Sequence, residues 1–175
     1  MPASDDFSRE PEKPLFALLD RLGIRTSTIS HAKVFTVAES NLVKAHLPGG
    51  HTKNLFMKDR QGQLVLISAL GTSQLALNQV HRELGTQRLS FTDAPLLWEA
   101  LGVTPGSVTG FSVLNDEAKR VRFVLEEALM VHETLNFHPL RNDMTTSISR
   151  DDFLGFAEAT GHTVTRIDFT KLGPG

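Results

Sequence analysis

Three apolar segments of this chain each close on the same dipeptide: Leu22-Gly23, Leu84-Gly85 and Leu101-Gly102. Each dipeptide follows apolar residues at helical spacing, and a glycine there can take the left-handed conformation that ends an α-helix. Strand-like runs lie between these stops, so helices and strands alternate and the fold class is α/β. Pro14 suits the first turn of the helix that stops at Gly23. Alternation over residues 24–30 predicts a first strand, and Thr36 with Glu39 forms a T-x-x-E capping box before a helix over 37–46. LFMKD and LVLISA flank RQGQ as the arms of a hairpin. TSQLALNQVHREL and, behind an Asp93 cap, APLLWEAL read as helices, whereas GSVTGFSVL and VRFVLEEAL read as strands around Asn115-Asp116. Ser149 and Asp152 resemble another cap before FLGFAEATG, and TVTRIDF closes the pattern as a strand. Six or seven strands with four or five helices result. They predict a central mixed or antiparallel sheet, or a partly closed barrel, surrounded by helices.

The 175 residues, 40% hydrophobic and 22% charged, suffice for one domain with a substantial core. Residues 14–175 are read as that domain and residues 1–13 as a flexible acidic leader. The absence of cysteine excludes disulfides, thiolate nucleophiles and zinc–cysteine sites. No apolar run approaches the roughly 20 residues that cross a bilayer. The opening MPASDDFSREPEK lacks a signal peptide's hydrophobic segment, so a cytoplasmic location without membrane partners is expected. The leader sets Asp5, Asp6, Glu10 and Glu12 against Arg9 and Lys13, which accounts for the formal charge of −2. Between residues 33 and 60, Lys33, Lys44, Lys53, Lys58 and Arg60 outnumber Glu39 and Asp59. Such a local positive site suits a few phosphates and not a long duplex.

No nucleophile elbow, P-loop, dinucleotide fingerprint or zinc-protease helix is present. The histidines are scattered. His46 and His51, with a distant carboxylate, are the one metal-like spacing, and no metal or cofactor is expected. His81 reads as a partly exposed structural residue, and Trp98 and the phenylalanines as core. Two clusters remain. In GGHTKNLFMKD, residues 49–59, four polar side chains (His51, Thr52, Lys53 and Asn54) stand at the mouth of a strand, which a plain hairpin does not require. In ETLNFHPLRNDMTTSIS, residues 133–149, Asn136, His138, Asn142, Thr145, Thr146 and Ser147 crowd into a polar loop around Phe137 and Pro139. A connection rich in turn residues explains the second cluster as well as function does. An exposed strand-entry charge does the same for Lys53.

HTKNLFMKD at 51–59 resembles the hallmark of the YbaK/prolyl-tRNA synthetase-associated editing family, in which a Lys-Asn pair enters a core strand after a glycine-containing loop. LGVTPGSVTGF at 101–111, LNDEAKRVRFVLEEAL at 114–129 and FHPLRNDMTTSIS at 137–149 agree in order, and the likeness spans roughly residues 15–172. The chain is most similar to free-standing Ala-tRNA(Pro) deacylases, related to the insertion domain of bacterial prolyl-tRNA synthetase.

The resemblance implies hydrolysis of the ester joining a wrong amino acid to tRNA(Pro). Lys53 matches the family's essential lysine, implied to engage the terminal adenosine and its phosphate, as an ammonium can. Asn54 matches the adjacent substrate-orienting asparagine. Gly106 matches the glycine of a GxxxP loop, whose backbone N–H can approach the scissile carbonyl or the attacking water. Gly110 stands where proline is expected, which should loosen that loop. His138 matches the F-H-P histidine implied to line the amino-acid pocket or meet the substrate's amine; His51, Thr52 and Asn136 complete the implied binding set. An aminoacyl ester is already activated, so water need only be positioned and no side-chain base is assigned. Selectivity is expected to be steric, a small pocket accepting alanine and refusing proline. Lys44, Lys58 and Arg60 are candidates for acceptor-stem contacts, though solvated surface charge explains them better. Prolyl-tRNA synthetase or elongation factor are the implied protein partners. Two alternatives stay open: a Cys-tRNA(Pro) deacylase using the substrate's own thiol, and a silent tRNA- or synthetase-binding module.

Overall fold

The computed structural model describes residues 7–33 and 37–172. The elements in chain order are α1 (Lys13–Arg21), β1 (Ser27–Ser30), α2 (Val37–Lys44), β2 (Gly50–Lys58), β3 (Leu64–Leu70), α3 (Val80–Leu84), β4 (Ser90–Phe91), α4 (Ala94–Leu101), β5 (Val121–Glu126), β6 (Thr134–Phe137), β7 (Met144–Ser149), α5 (Arg150–Ala159) and β8 (Val164–Ile167). The strands form one mixed sheet in the order β1-β7-β6-β2-β3-β5-β8, with β4 attached to β2. The expected mixed α/β architecture is present, with eight strands among the described residues instead of six or seven.

Strand β3 shows why the sheet is buried on both faces. Leu64 and Leu66 enter one hydrophobic cluster with Phe56, Phe123 and Leu125, under α1, α4 and α5. Val65, Ile67 and Ala69 alternate into a second with Met57, Val124 and Ile167. A strand covered on both faces reads as a continuous apolar run, as LVLISAL does. The larger cluster centres on Phe153 of α5, fully buried, stacked on Phe137 at 4.3 Å between ring centroids and edge-on to Phe111 and Phe123.

Several local expectations hold. Gly23, Gly85 and Gly102 take φ of 69°, 67° and 66°, the left-handed values that stop a helix. The Asp93 carboxylate accepts from Leu96 N–H at 2.9 Å and Ser149 Oγ from Asp152 N–H at 3.1 Å. Thr36 lies outside the described residues. The hairpin around Gly62 joins β2 and β3 antiparallel, with Asp59 Oδ1 accepting from Gln61 and Gln63 N–H.

Other expectations are corrected. The helix expected over 72–84 is confined to α3. Leu75 and Leu77, two residues apart, both pack on the second cluster, a spacing an α-helix cannot turn to one side. GSVTGFSVL is not a strand: a 3₁₀ helix over Gly110–Asn115 opens at Thr109, whose Oγ1 accepts from Phe111 N–H. Gly110, Phe111, Ser112 and Val113 are buried in succession, a pattern that does not separate strand from buried helix. The polar loop expected at 133–149 is the β6–β7 hairpin, because Leu135, Phe137 and Ile148 anchor it in the core. Phe91 lies exposed on β4, outside the core, and Trp98 is half-buried beneath Arg9, 3.8 Å from its ring centroid. Residues 1–6 lie outside the described residues. Residues 7–12 turn onto the domain, where Glu12 is buried and pairs with Arg141 at 2.8 Å.

Phe153→Ala should therefore lower stability by about 3–5 kcal/mol, the range for truncating a buried phenylalanine. Urea denaturation measures it, and a loss below about 1 kcal/mol would contradict the packing described.

Candidate functional site

The site forms where β2 changes partners. One edge of β2 pairs with β3 over Thr52–Lys58. The other edge pairs with β6 only at Gly50 and His51, and with β4 only at Met57 and Lys58. Residues 53–55 thus have no strand on that edge among the described residues. A small cleft of about 40 Å³ opens where β2 leaves β6, lined by Val43, Lys44, His51, Thr52, Asn136, Phe137, His138 and Thr145. That volume holds about three waters at ~10–15 Å³ each.

Strand periodicity separates the adjacent pair Lys53 and Asn54. Successive side chains point to opposite faces of a sheet. Asn54 shares the face of Phe56 and the larger cluster, and Lys53 that of Leu55 and Met57. Lys53 accordingly donates from Nζ to the carbonyl of Ser73, in the segment after β3. Asn54 Oδ1 accepts from Ser68 Oγ at 2.5 Å and from Gly110 N–H at 3.0 Å. A backbone N–H can only donate, so the amide orientation of Asn54 follows and Nδ2 is left as donor. Nδ2 reaches Thr52 Oγ1 at 3.3 Å, and Thr52 donates to the Asn136 carbonyl at 2.8 Å. Buried Asn136 is satisfied in turn: its Nδ2 donates to the Pro48 carbonyl at 3.0 Å and its Oδ1 accepts from Ser147 Oγ at 2.6 Å. A chain of hydrogen bonds thus runs from Gly110 through Asn54 and Thr52 to the β6–β7 hairpin.

His51 Nε2 bonds the Leu47 carbonyl at 2.9 Å. His138 Nδ1 bonds the Met144 carbonyl at 3.0 Å, which leaves Nε2 as the unprotonated nitrogen of the neutral ring. His31, 6.3 Å away between ring centroids, bonds Thr145 Oγ1. Burial pushes the His138 pKa below its ordinary 6.5; the bond to Met144 opposes this, and neighbouring His31 adds to it. His138 is therefore a neutral ring beside the cleft at pH 7.

The structure thus brings His51, Thr52, Asn136 and His138 together around the cleft, with Asn54 hydrogen-bonded to Thr52. Lys53 and Gly110 do not line it. Gly106 sits on an exposed turn with φ 92°, and Asn142 Nδ2 is the one atom that a β-carbon there would approach, at 3.6 Å. Gly110 is buried, and a β-carbon on it would stand 2.9 Å from Phe153 Cζ and Ser68 Oγ and 3.0 Å from Phe137 Cε1. Sequence reasoning passed over Ser68. The signal was a lone hydroxyl in the buried run LVLISAL, where a polar group demands a partner. Among the described residues no cluster of three histidines or carboxylates could hold a metal, and no helix is long and apolar enough to cross a membrane.

Residues 31–156 match the aminoacyl-tRNA editing domain family, and the chain belongs to that family. It is 38% identical over 156 residues to the mouse (Mus musculus) prolyl-tRNA synthetase associated domain-containing protein 1, covering 86% of this chain and 92% of that one. It is 30% identical over 160 residues to the prolyl-tRNA editing protein ProX of Acetoanaerobium sticklandii, covering 91% and 98%. A solved structure described as a candidate trans-editing enzyme for prolyl tRNA synthetase superposes with a TM-score of 0.71 at 17% identity, over 91% of this chain and 97% of that one. This structural likeness supports the mixed α/β fold.

Gly110→Ala should cost about 1–3 kcal/mol, since the methyl group overpacks a site enclosed by Phe153, Ser68 and Phe137; thermal or urea unfolding reads it. His138 should titrate below 6.5 by NMR. A lowered pKa in the folded state means that the unfolded chain takes up the proton first as pH falls. Wild type should therefore lose stability below about pH 6.5 relative to His138→Asn, and a wild-type advantage unchanged down to pH 5 would contradict the assignment.

Proposed function

We propose that this protein is a trans-editing deacylase that hydrolyses the ester of alanine mischarged to tRNA(Pro). The observation that carries the reading is the cleft itself: small, polar-walled, and opening where β2 leaves β6. Room for a few waters accommodates a methyl side chain, and in this reading the cleft walls discriminate sterically against the larger ring of proline. The relatives named for prolyl-tRNA editing and synthetase association support tRNA(Pro) and prolyl-tRNA synthetase as partners; elongation factor as a delivering protein is part of the proposal alone.

In this reading Lys53 holds a phosphate of the 3′ end near Ser73. The Asn54 amide, oriented through its occupied oxygen, presents Nδ2 toward Thr52 and the cleft. His138 accepts from the substrate's ammonium through its bare Nε2. Water adds to the ester carbonyl, the acyl C–O bond breaks, and the ribose oxygen leaves with a proton, giving free alanine and uncharged tRNA. No protein nucleophile is needed, because the ester is activated and the site has only to orient it.

The exposed position of Gly106 favours a second reading, in which the protein binds the acceptor end without cleaving it. Deacylation of Ala-, Pro- and Cys-tRNA(Pro) by wild type and Lys53→Ala separates the two. Alanine should be released and proline spared, with at least a hundredfold loss on substitution, which corresponds to about 2.7 kcal/mol of lost transition-state binding. Selective release of cysteine would make the substrate cysteine instead of alanine. Binding of tRNA with no cleavage of any ester would leave only the second reading.

A further inference from the structure

Lys44 is the last residue of α2 and lines the cleft. Its Nζ lies over Gly71, 3.3 Å from where a β-carbon on that residue would stand. Lys53 arrives from β2 and donates to the carbonyl of Ser73. Two ammonium groups from different elements therefore meet the same three-residue segment, 71–73. Both lysines are half-buried, and among the described residues no carboxylate pairs with either. Half-buried like charges left without a counter-ion are costly unless an anion joins them.

The segment beneath them is fixed. Leu70 N–H is held by the buried Glu126 carboxylate at 2.9 Å, Gly71 N–H by the His51 carbonyl at 2.7 Å, and Ser73 N–H by the Leu70 carbonyl at 2.9 Å. A β-carbon on Gly71 would stand 3.2 Å from the His51 carbonyl oxygen and 3.3 Å from the Lys44 ammonium, so glycine lets both approach closely.

We propose that Lys44 and Lys53 form one two-cation site for a single phosphodiester of an RNA 3′ end, with Lys44 supplying the contact beside the cleft. A monoanionic phosphate between them neutralises part of an uncompensated positive pair through charge-assisted hydrogen bonds. This inference rests on the reading of the cleft as the site of an aminoacylated RNA end. It adds that the last phosphate is held by ammoniums at both ends of segment 71–73.

The test uses the full chain and an uncharged RNA hairpin ending in CCA, which binds without chemistry. Dissociation constants are measured across a salt series for wild type, Lys44→Gln, Lys44→Arg and Lys171→Gln, each first checked by thermal unfolding. Lys44→Gln should weaken binding about tenfold, the lower end for a charge-assisted hydrogen bond. It should also reduce the slope of log K against log salt by about 0.7, the loss of one phosphate contact on a single strand. Lys44→Arg should keep the slope, and Lys171→Gln, which removes an exposed lysine away from the cleft, should match wild type. An unchanged affinity and slope in Lys44→Gln, or no RNA binding by wild type, overturns the proposal. RNA binding that depends on Lys44 without ester cleavage would sustain it while the deacylase reading fails. Cleavage of Ala-tRNA(Pro) at an unaltered KM in Lys44→Gln, with its slope unchanged, would do the reverse.

Discussion

Strand β2 has a full partner on one edge and fragments on the other. β3 binds it along seven residues, whereas β6 and β4 touch only its two ends. A strand in the middle of a sheet with a gap on one edge must satisfy that edge in some other way. Near the β4 end the Phe56 carbonyl accepts from Thr92 N–H and Oγ1, and at the β6 end Thr52 Oγ1 donates across to the Asn136 carbonyl. The cleft exists because no strand occupies that position, and β3 fixes the register of β2 opposite it.

Gly110 shows how closely packing and site chemistry are joined. Its bareness admits the 3₁₀ helix against Phe153 and Phe137, and its N–H occupies one side of the Asn54 oxygen. A proline there would supply no N–H and would bring ring atoms into space already held by Phe153 and Ser68. The flexibility that a glycine adds to the unfolded loop is met in the folded state by a hydrogen bond that ties the loop to the central strand. Loss of that bond would leave the half-buried Asn54 oxygen with Ser68 alone, a penalty of up to about 1 kcal/mol.

Much of the architecture was legible in the sequence. The three Leu-Gly stops, the Asp93 and Ser149 caps and the hairpin at Gly62 are local devices, each decided by one residue's conformational freedom or one side chain's reach. What was not legible depended on distant partners. GSVTGFSVL alternates like a strand, yet it is buried all round and winds as a 3₁₀ helix. The stretch at 133–149 is as polar as a loop, but Asn136, Thr145 and Thr146 are polar strand residues whose partners, such as Pro48, His31 and Thr28, lie far along the chain. The cleft-lining residues His51, Thr52, Asn136 and His138 were legible by resemblance. Lys44 was legible only as one charge of a positive stretch, and Ser68 not at all, because their places depend on what they meet: Gly71 and Asn54.

The same alternation that builds the sheet divides labour between two neighbouring residues. On a loop, Lys53 and Asn54 would reach the same surroundings. On a strand they reach opposite faces, one ending at the carbonyl of Ser73 and the other in a buried amide network. A half-buried asparagine is tolerable on the core face because Ser68 and Gly110 satisfy its oxygen. A buried lysine there would be an unpaired charge in an apolar cluster, which is far more costly than an unpaired amide. Exchanging the two residues in sequence would therefore not exchange their roles. It would place an ammonium beside Ser68 and Gly110 N–H, where a donor meets a donor, and an amide toward Ser73, so stability would suffer along with the chemistry.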